Sequence, residues 1–178
     1  HKAIVAAAKQ RIYVTLNKRQ DKNIIINSDI STEYRTNLSE LHSEDILNYP
    51  KNFIFILVAI LKSNIESGLD INIKSDFSDK IGLGSSAAVT VATISALCQL
   101  QYGNFDKKQI FSKSLEIINI IQNFDASGAD IAASIWGSIL LYRKDPFLVE
   151  KINPNLTIPI KLIYSGYKKK TTDVVAYV

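Results

Sequence analysis

Apolar and polar residues alternate along several short segments in the first half of the chain. This period of two is typical of strands that bury one face. It predicts strands over residues 11–16 and 69–73, with flanking strands over 3–8 and 24–26. In the first of these, Ile12, Val14 and Leu16 share the buried face. Residues 29–44 are polar and rich in Ser, Thr, Asn and Glu, which predicts a surface excursion outside the core.

Apolar residues at helical spacing, closed by glycine in two cases, predict the helices of the chain. Helices are expected over residues 50–67, 85–102 and 106–123, and a loop over 125–137 is expected to enter a short helix. Further strands are predicted over 139–143 and 160–164. Strands and helices that mix without strict alternation favour an α+β domain. We therefore expect a mostly antiparallel sheet with helices packed on one face.

Composition narrows the class of protein. The most apolar run, residues 53–61, falls far short of the roughly 20 residues that span a bilayer, so no membrane association is expected. A net charge of +4 suits an anionic substrate or a nucleotide but makes a nucleic-acid partner unexpected. Cys98 is the sole cysteine and lies in a predicted helix, which indicates a core residue and a reducing cytoplasm. His1 and His42 are too far apart to predict a zinc site.

A glycine-rich turn stands between a predicted strand and a predicted helix, with the sequence Gly82-Leu83-Gly84-Ser85-Ser86-Ala87-Ala88. Glycine allows positive φ angles and a close approach of the backbone to a ligand. The unpaired N–H groups of the helix start form a ready anion site, to which two serine hydroxyls add donors or a metal ligand. The alternative is an ordinary capped helix after a glycine turn. The seven residues together favour a phosphate-binding turn.

This turn resembles the signature of the GHMP kinases, the superfamily of galactokinase, homoserine kinase, mevalonate kinase and phosphomevalonate kinase. Residues 125–133, Asp-Ala-Ser-Gly-Ala-Asp-Ile-Ala-Ala, are similar to the second conserved loop of that superfamily, in the form typical of mevalonate and phosphomevalonate kinases. Residues 3–7 and 165–168 are similar as well. The resemblance covers most of the chain and implies the N-terminal domain of these kinases, which has a ribosomal protein S5 domain 2-like fold.

The resemblance also implies roles for individual residues. The residues that would wrap the ATP triphosphate are Gly82, Leu83, Gly84, Ser85, Ser86 and Ala87. Ser86 would also hold Mg²⁺, and Asp130 would be the catalytic residue that faces the substrate hydroxyl, where a carboxylate can take a proton. The residues that would contact the substrate are Ser127, Gly128, Lys168 and Thr171. Two structural alternatives stay open: a helix-capping role for Asp130 and a solvated basic loop at residues 168–170.

Several positions depart from the pattern of the superfamily. Ser78 replaces a usual proline before the turn, and Asn119 stands where mevalonate kinases have an acidic magnesium ligand, with Glu116 as a conceivable substitute. The usual N-terminal lysine and C-terminal glycine-rich motif have no counterpart. Residues 1–165 are interpreted as the ATP-binding domain and residues 166–178 as the start of a truncated C-terminal substrate domain.

The sequence therefore predicts an ATP- and Mg²⁺-dependent kinase that phosphorylates mevalonate or phosphomevalonate, both small anionic molecules. A related decarboxylase is disfavoured. Its corresponding loop resembles Ser-Gly-x-Ala, whereas in this sequence Asp130 places a carboxylate at the last of those four positions. A kinase for a sugar or an amino alcohol stays open. So does a catalytically inactive nucleotide- or RNA-binding module of the same fold. The sequence also leaves a homodimer open.

Overall fold

The computed structural model of the protein describes residues 2–29, 31–78, 81–104, 106–123, 125–152, 163–164 and 166. Within these ranges the strands are β1 Ala3–Ala6, β2 Ile12–Lys18, β3 Asn23–Ser28, β4 Ser31–Asn37, β5 Leu69–Ser75, β6 Ile139–Arg143 and β7 Leu148–Ile152. The α-helices are α1 Ile54–Lys62, α2 Ser85–Tyr102, α3 Lys107–Gln122 and α4 Ala129–Trp136. Short 3₁₀ helices occupy Leu38–Glu40 and Ser43–Asn48.

The described strands form two sheets. One has the order β2-β5-β3-β4, in which β3 and β5 are parallel and the other pairs antiparallel. The other has the order β1-β6-β7 and is antiparallel throughout. Helix α2 packs against β2, and α4 packs against β1 and β6. The predicted α+β class with mostly antiparallel pairing is confirmed, and the strands divide between two sheets where one was expected.

Alternation along the strands buries one face of the larger sheet. Ile24 and Ile26 of β3, and Leu69 and Ile71 of β5, are fully buried. Helix α2 crosses the core with Thr90 and other polar side chains that are buried but donate to carbonyls of their own helix. The apolar sheet face and the helices thus form one core, and Cys98 lies in it as expected.

Two predictions about the first half of the chain were wrong, and one strand near the end of the domain was not predicted. The expected excursion over residues 29–44 contains β4, which among the described strands pairs on one side only and can therefore remain polar as an edge strand. The helix expected over 50–67 is limited to α1, because Phe53 is outside helical geometry and Asn64 takes a positive φ of 50°. Strand β7 was missed because its polar residues, Glu150 and Lys151, are adjacent.

The elements around the glycine turn match their predicted limits closely. Helix α2 begins and ends at the predicted residues, with Gly103 as its left-handed C-cap. Asp106 caps α3 by accepting a hydrogen bond from the Gln109 N–H at 2.8 Å. Residues 160–162 of a predicted strand and residues 167–178 of the predicted second domain lie outside the described residues. Across the described residues, no helix combines the length and the apolar character needed to cross a membrane.

Candidate phosphate and acceptor site

A cleft of about 1260 Å³ opens between the glycine turn, the start of α2, the β1–β2 connection, the end of α3 and α4. Most side chains that line it are small or apolar. Among the described residues of its lining, Arg11 and Asp130 carry charge, one positive and one negative. The cleft therefore offers one cation and one carboxylate to a bound molecule.

The glycine turn forms one wall of this cleft. Gly82 and Gly84 have φ angles of 76° and 71°, in the left-handed region that favours glycine. Gly84 is the N-cap of α2, and its carbonyl accepts the first helical bond, from Ala88 N–H at 3.0 Å. The N–H groups of residues 85–87, between the N-cap and Ala88, therefore have no acceptor within the helix, as at any helix start. This geometry fits an anion at the positive end of the helix dipole.

The predicted phosphate-binding residues do not all reach the cleft. Those that line it are Gly82, Leu83, Gly84, Ser85 and Ser86. Ala87 is fully buried and does not line the cleft. A second cavity of about 160 Å³ lies on the other side of α2, and Ser85 and Ser86 line it too. The two serines therefore stand where the two cavities meet.

The second predicted loop forms the opposite wall. Gly128 is the left-handed N-cap of α4, with a φ of 75°, and a Cβ built there would lie 2.8 Å from the Tyr142 hydroxyl and 2.9 Å from Phe111 Cζ. Tyr142 donates a hydrogen bond to the Ser127 carbonyl at 2.6 Å. Burial, together with the negative charge of Asp130, raises the pKa of Tyr142 to about 12, so its hydroxyl stays a donor. The loop thus requires glycine at this position and a protonated tyrosine behind it.

Asp130 lies in the first turn of α4 and projects into the cleft. Its Oδ1 accepts a hydrogen bond from the Ile131 N–H at 3.0 Å, which is the helix-capping contact considered as an alternative role. The residue is exposed where it lines the cleft, while nearby protein atoms desolvate its carboxyl group. This desolvation raises the pKa of Asp130 above its usual value, although the Ile131 N–H partly opposes the shift. The carboxylate is therefore a stronger base than a free aspartate.

The two predicted motifs meet at Gly84 and Asp130. A Cβ built on Gly84 would lie 3.5 Å from Asp130 Cβ and 3.9 Å from its Oδ2. The anion site at the start of α2 and the carboxylate of α4 therefore share one face of the cleft, where a phosphate and a hydroxyl could be held side by side.

Of the four residues predicted to contact the substrate, one lines the cleft, one is buried behind it, and two lie outside the described residues. Ser127 lines the cleft, whereas Gly128 is buried against Tyr142 and Phe111 and does not line it. Lys168 and Thr171 lie outside the described residues. Sequence reasoning missed Arg11, which has no motif around it, and Tyr142, whose position in a strand gives no signal of its contact with the loop.

Mg²⁺ requires oxygen ligands, which the resemblance places at Ser86 and at position 119. Neither Asn119 nor Glu116 is among the described residues that line the cleft, and Glu116 instead pairs with Lys62 of α1 at 3.6 Å. The described residues contain no group of three or more His, Cys, Asp or Glu side chains able to hold a metal. Mg²⁺ commonly binds through one or two protein oxygens, waters and substrate phosphates. The Ser86 hydroxyl fits such a site beside a bound triphosphate.

Known proteins are similar to this chain in sequence and in fold. The sequence profile of the GHMP kinases N terminal domain matches residues 48–138. The mevalonate kinase of Pyrococcus horikoshii is 31% identical over 188 residues, which cover 99% of this chain and 54% of that protein. The crystal structure of Methanococcus jannaschii mevalonate kinase superposes with a TM-score of 0.68 at 26% identity, covering 79% of this chain and 45% of the other.

A more distant structure shows the fold alone. Lactococcus lactis galactokinase, complexed with galactose, superposes with a TM-score of 0.73 at 17% identity, over 92% of this chain and 47% of the other. The chain spans about half the length of the curated relatives that it matches. Because the profile and the identity to a relative extend over the turn and the second loop that form the cleft, this chain belongs to the GHMP kinase family and contains its N-terminal domain.

Proposed function

We propose that the full-length protein containing this chain is an ATP- and Mg²⁺-dependent kinase that phosphorylates mevalonate, a step of isoprenoid precursor synthesis. The proximity of Gly84 and Asp130 carries the proposal, because it brings an anion site and a carboxylate close together. Membership of the GHMP kinase family and the mevalonate kinases among its relatives support it. A reduced, buried Cys98 is compatible with the cytoplasm, which we propose as the location.

The phosphate donor fits across Ser85 and Ser86. The smaller cavity has an apolar wall that includes Phe53, Phe55 and Ile56 and would receive the nucleotide base. The triphosphate would then pass over the start of α2 into the larger cleft, where N–H groups and the helix dipole stabilise its charge. Mg²⁺, when bound to the phosphates and Ser86, would neutralise further charge.

The transfer follows from this placement. The bond between the γ-phosphorus and the bridging oxygen of ATP breaks, and a new bond forms to the acceptor hydroxyl oxygen, which leaves ADP and a phosphate ester. The hydroxyl proton passes to Asp130. Phosphoryl transfer depends mainly on the positioning of the reactants and on charge neutralisation. The role of the carboxylate is therefore to orient the attacking oxygen and to accept its proton. The raised pKa of Asp130 brings its basicity closer to neutral pH.

The acceptor is proposed from the charge of the cleft and from the relatives. Arg11 is the one cation among the described lining residues and suits a carboxylate or phosphate of the acceptor. Mevalonate carries the former, and phosphomevalonate carries both. The curated relatives favour mevalonate, while the form of residues 127–130 keeps phosphomevalonate as the second candidate.

ADP release by the full-length protein tests the proposal. The acceptors to compare are mevalonate, phosphomevalonate, galactose and homoserine, each with ATP and Mg²⁺. We expect mevalonate to give the highest kcat/KM, and Asp130→Asn to lower kcat about 10²- to 10⁴-fold. Asp45→Asn is the matched control, since Asp45 is an exposed aspartate in the 3₁₀ helix Ser43–Asn48 and does not line the cleft. Nucleotide or RNA binding without turnover on any acceptor would instead indicate the inactive module.

A further inference from the structure

We infer that Asn119 is a positioning residue that fastens the loop before Asp130, rather than a metal ligand of the site. The inference concerns the α3 side of the loop at residues 125–128. Its consequence for turnover rests on the proposed kinase function, whereas its structural part does not.

The contact itself is specific. Asn119 lies in the last turn of α3, and its Oδ1 accepts a hydrogen bond from the Ala126 N–H at 2.9 Å. Ala126 is 7% exposed, so this N–H has little access to water and needs a partner from the protein. A buried donor left without an acceptor carries a desolvation penalty, which makes the carboxamide oxygen the stabilising element of this contact.

The same loop is held from its other side. Lys144 donates to the Ala126 carbonyl at 3.0 Å and pairs with Asp125, and Tyr142 donates to the Ser127 carbonyl. Asn119 supplies the contact from α3, so the loop is tied to a helix and to strand β6 at once. Since Gly128 begins α4 directly after this loop, the position of Asp130 depends on both attachments.

A ligand role does not fit the position of Asn119. Its neighbours Ile118, Ile121 and Gln122 line the cleft, and Asn119 does not. Its side-chain oxygen already accepts the Ala126 N–H at 2.9 Å. The position at which the resemblance implies an acidic metal ligand therefore holds an amide that binds backbone.

The experiment compares Asn119→Leu, which removes the acceptor, with Asn119→Asp, which retains one. Gln109→Leu, on an exposed position of the same helix, is the control for losing a carboxamide. Hydrogen exchange of the Ala126 amide and the affinity for Mn²⁺ in the presence of a nonhydrolysable ATP analogue are measured on the full-length protein. We expect Asn119→Leu to speed the exchange of the Ala126 amide roughly tenfold and to leave Mn²⁺ affinity within about twofold.

Turnover supplies a further readout. We expect Asn119→Leu to lower kcat by about tenfold with the KM for ATP nearly unchanged, and Asn119→Asp to restore kcat. A fall in Mn²⁺ affinity with unchanged protection of Ala126 would overturn the inference in favour of a ligand role. Unchanged exchange together with unchanged Mn²⁺ affinity would overturn it as well. If no variant and no wild-type protein turns over any acceptor, the proposed function fails, while the exchange and Mn²⁺ results still decide the role of Asn119.

Discussion

Gly84 and Asp130 both line the cleft and lie close together: a Cβ built on Gly84 would lie 3.5 Å from Asp130 Cβ. The two residues are 46 positions apart in the sequence. One ends the glycine turn and caps α2, and the other belongs to the first turn of α4. The packing of α2 against α4 therefore creates the candidate site, and changes at either residue should affect it in predictable ways.

Gly84→Ala should impair nucleotide use more than it impairs stability. An alanine at a φ of 71° is strained by about 1–2 kcal/mol, and its methyl group would occupy the space between the turn and Asp130. We expect kcat/KM for ATP to fall about 10- to 100-fold. Gly103→Ala is the matched control, because Gly103 has a φ of 70° and open space around it. Equal losses of kcat/KM in both variants would show that backbone strain alone is responsible.

Gly128→Ala should destabilise the domain strongly. The added methyl group would meet the Tyr142 hydroxyl and Phe111 below 3.0 Å, and the φ of 75° adds backbone strain. We expect the free energy of unfolding to fall by about 2–4 kcal/mol, against about 1–2 kcal/mol for Gly103→Ala, measured by urea denaturation. A loss no greater than that of Gly103→Ala would mean that the aromatic residues move aside at low cost.

Asp130 should lower the free energy of unfolding of the domain by an amount that depends on pH. Desolvation raises the folded-state pKa of this carboxyl above its ordinary value of 3.8, so folding disfavours the ionised form. The penalty is absent below pH 3.8, develops as the pH rises, and is complete above the raised pKa. Asp130→Asn should therefore unfold at a higher temperature than the wild type near neutral pH, and the difference should shrink as the pH falls through that window.

The control for the pH dependence is Asp125→Asn, which removes an exposed carboxylate at the other end of the same loop. Its melting temperature relative to the wild type should not show the same gain near neutral pH. A difference between Asp130→Asn and the wild type that is constant from acid to neutral pH would contradict a raised pKa at Asp130.

Arg11→Gln should weaken binding of the anionic acceptor. Arg11 lines the cleft, and its NH1 donates to the Ala8 and Gln10 carbonyls, which hold the guanidinium against the β1–β2 connection. Loss of one charge-assisted contact should raise the KM for mevalonate about 10- to 100-fold. Arg35→Gln, which removes an exposed arginine paired with Glu33 on β4, should leave this KM unchanged. A rise in the KM for ATP instead would assign Arg11 to the donor.

The sequence determined the elements whose signals are local. Helix α2 lies between Gly84 and Gly103, two residues whose conformational freedom marks its ends, and its limits were predictable for that reason. The glycine turn and the residues 127–130 were recognisable as motifs, since each needs particular side chains at fixed short spacing. Period-two alternation likewise indicated β2 and β5, because burial of one face requires it.

Tertiary structure decided what depends on distant partners. Strand β4 lies at the edge of the larger sheet among the described strands, a position that its own residues do not indicate. The contact of Asn119 with Ala126 likewise depends on the path of the chain after α3. The sequence thus supplied a phosphate turn and a candidate base as separate motifs. Only the packing of α2 and α4 on the two sheets set Gly84 against Asp130, because contact between residues far apart in the chain is a property of the core that joins them.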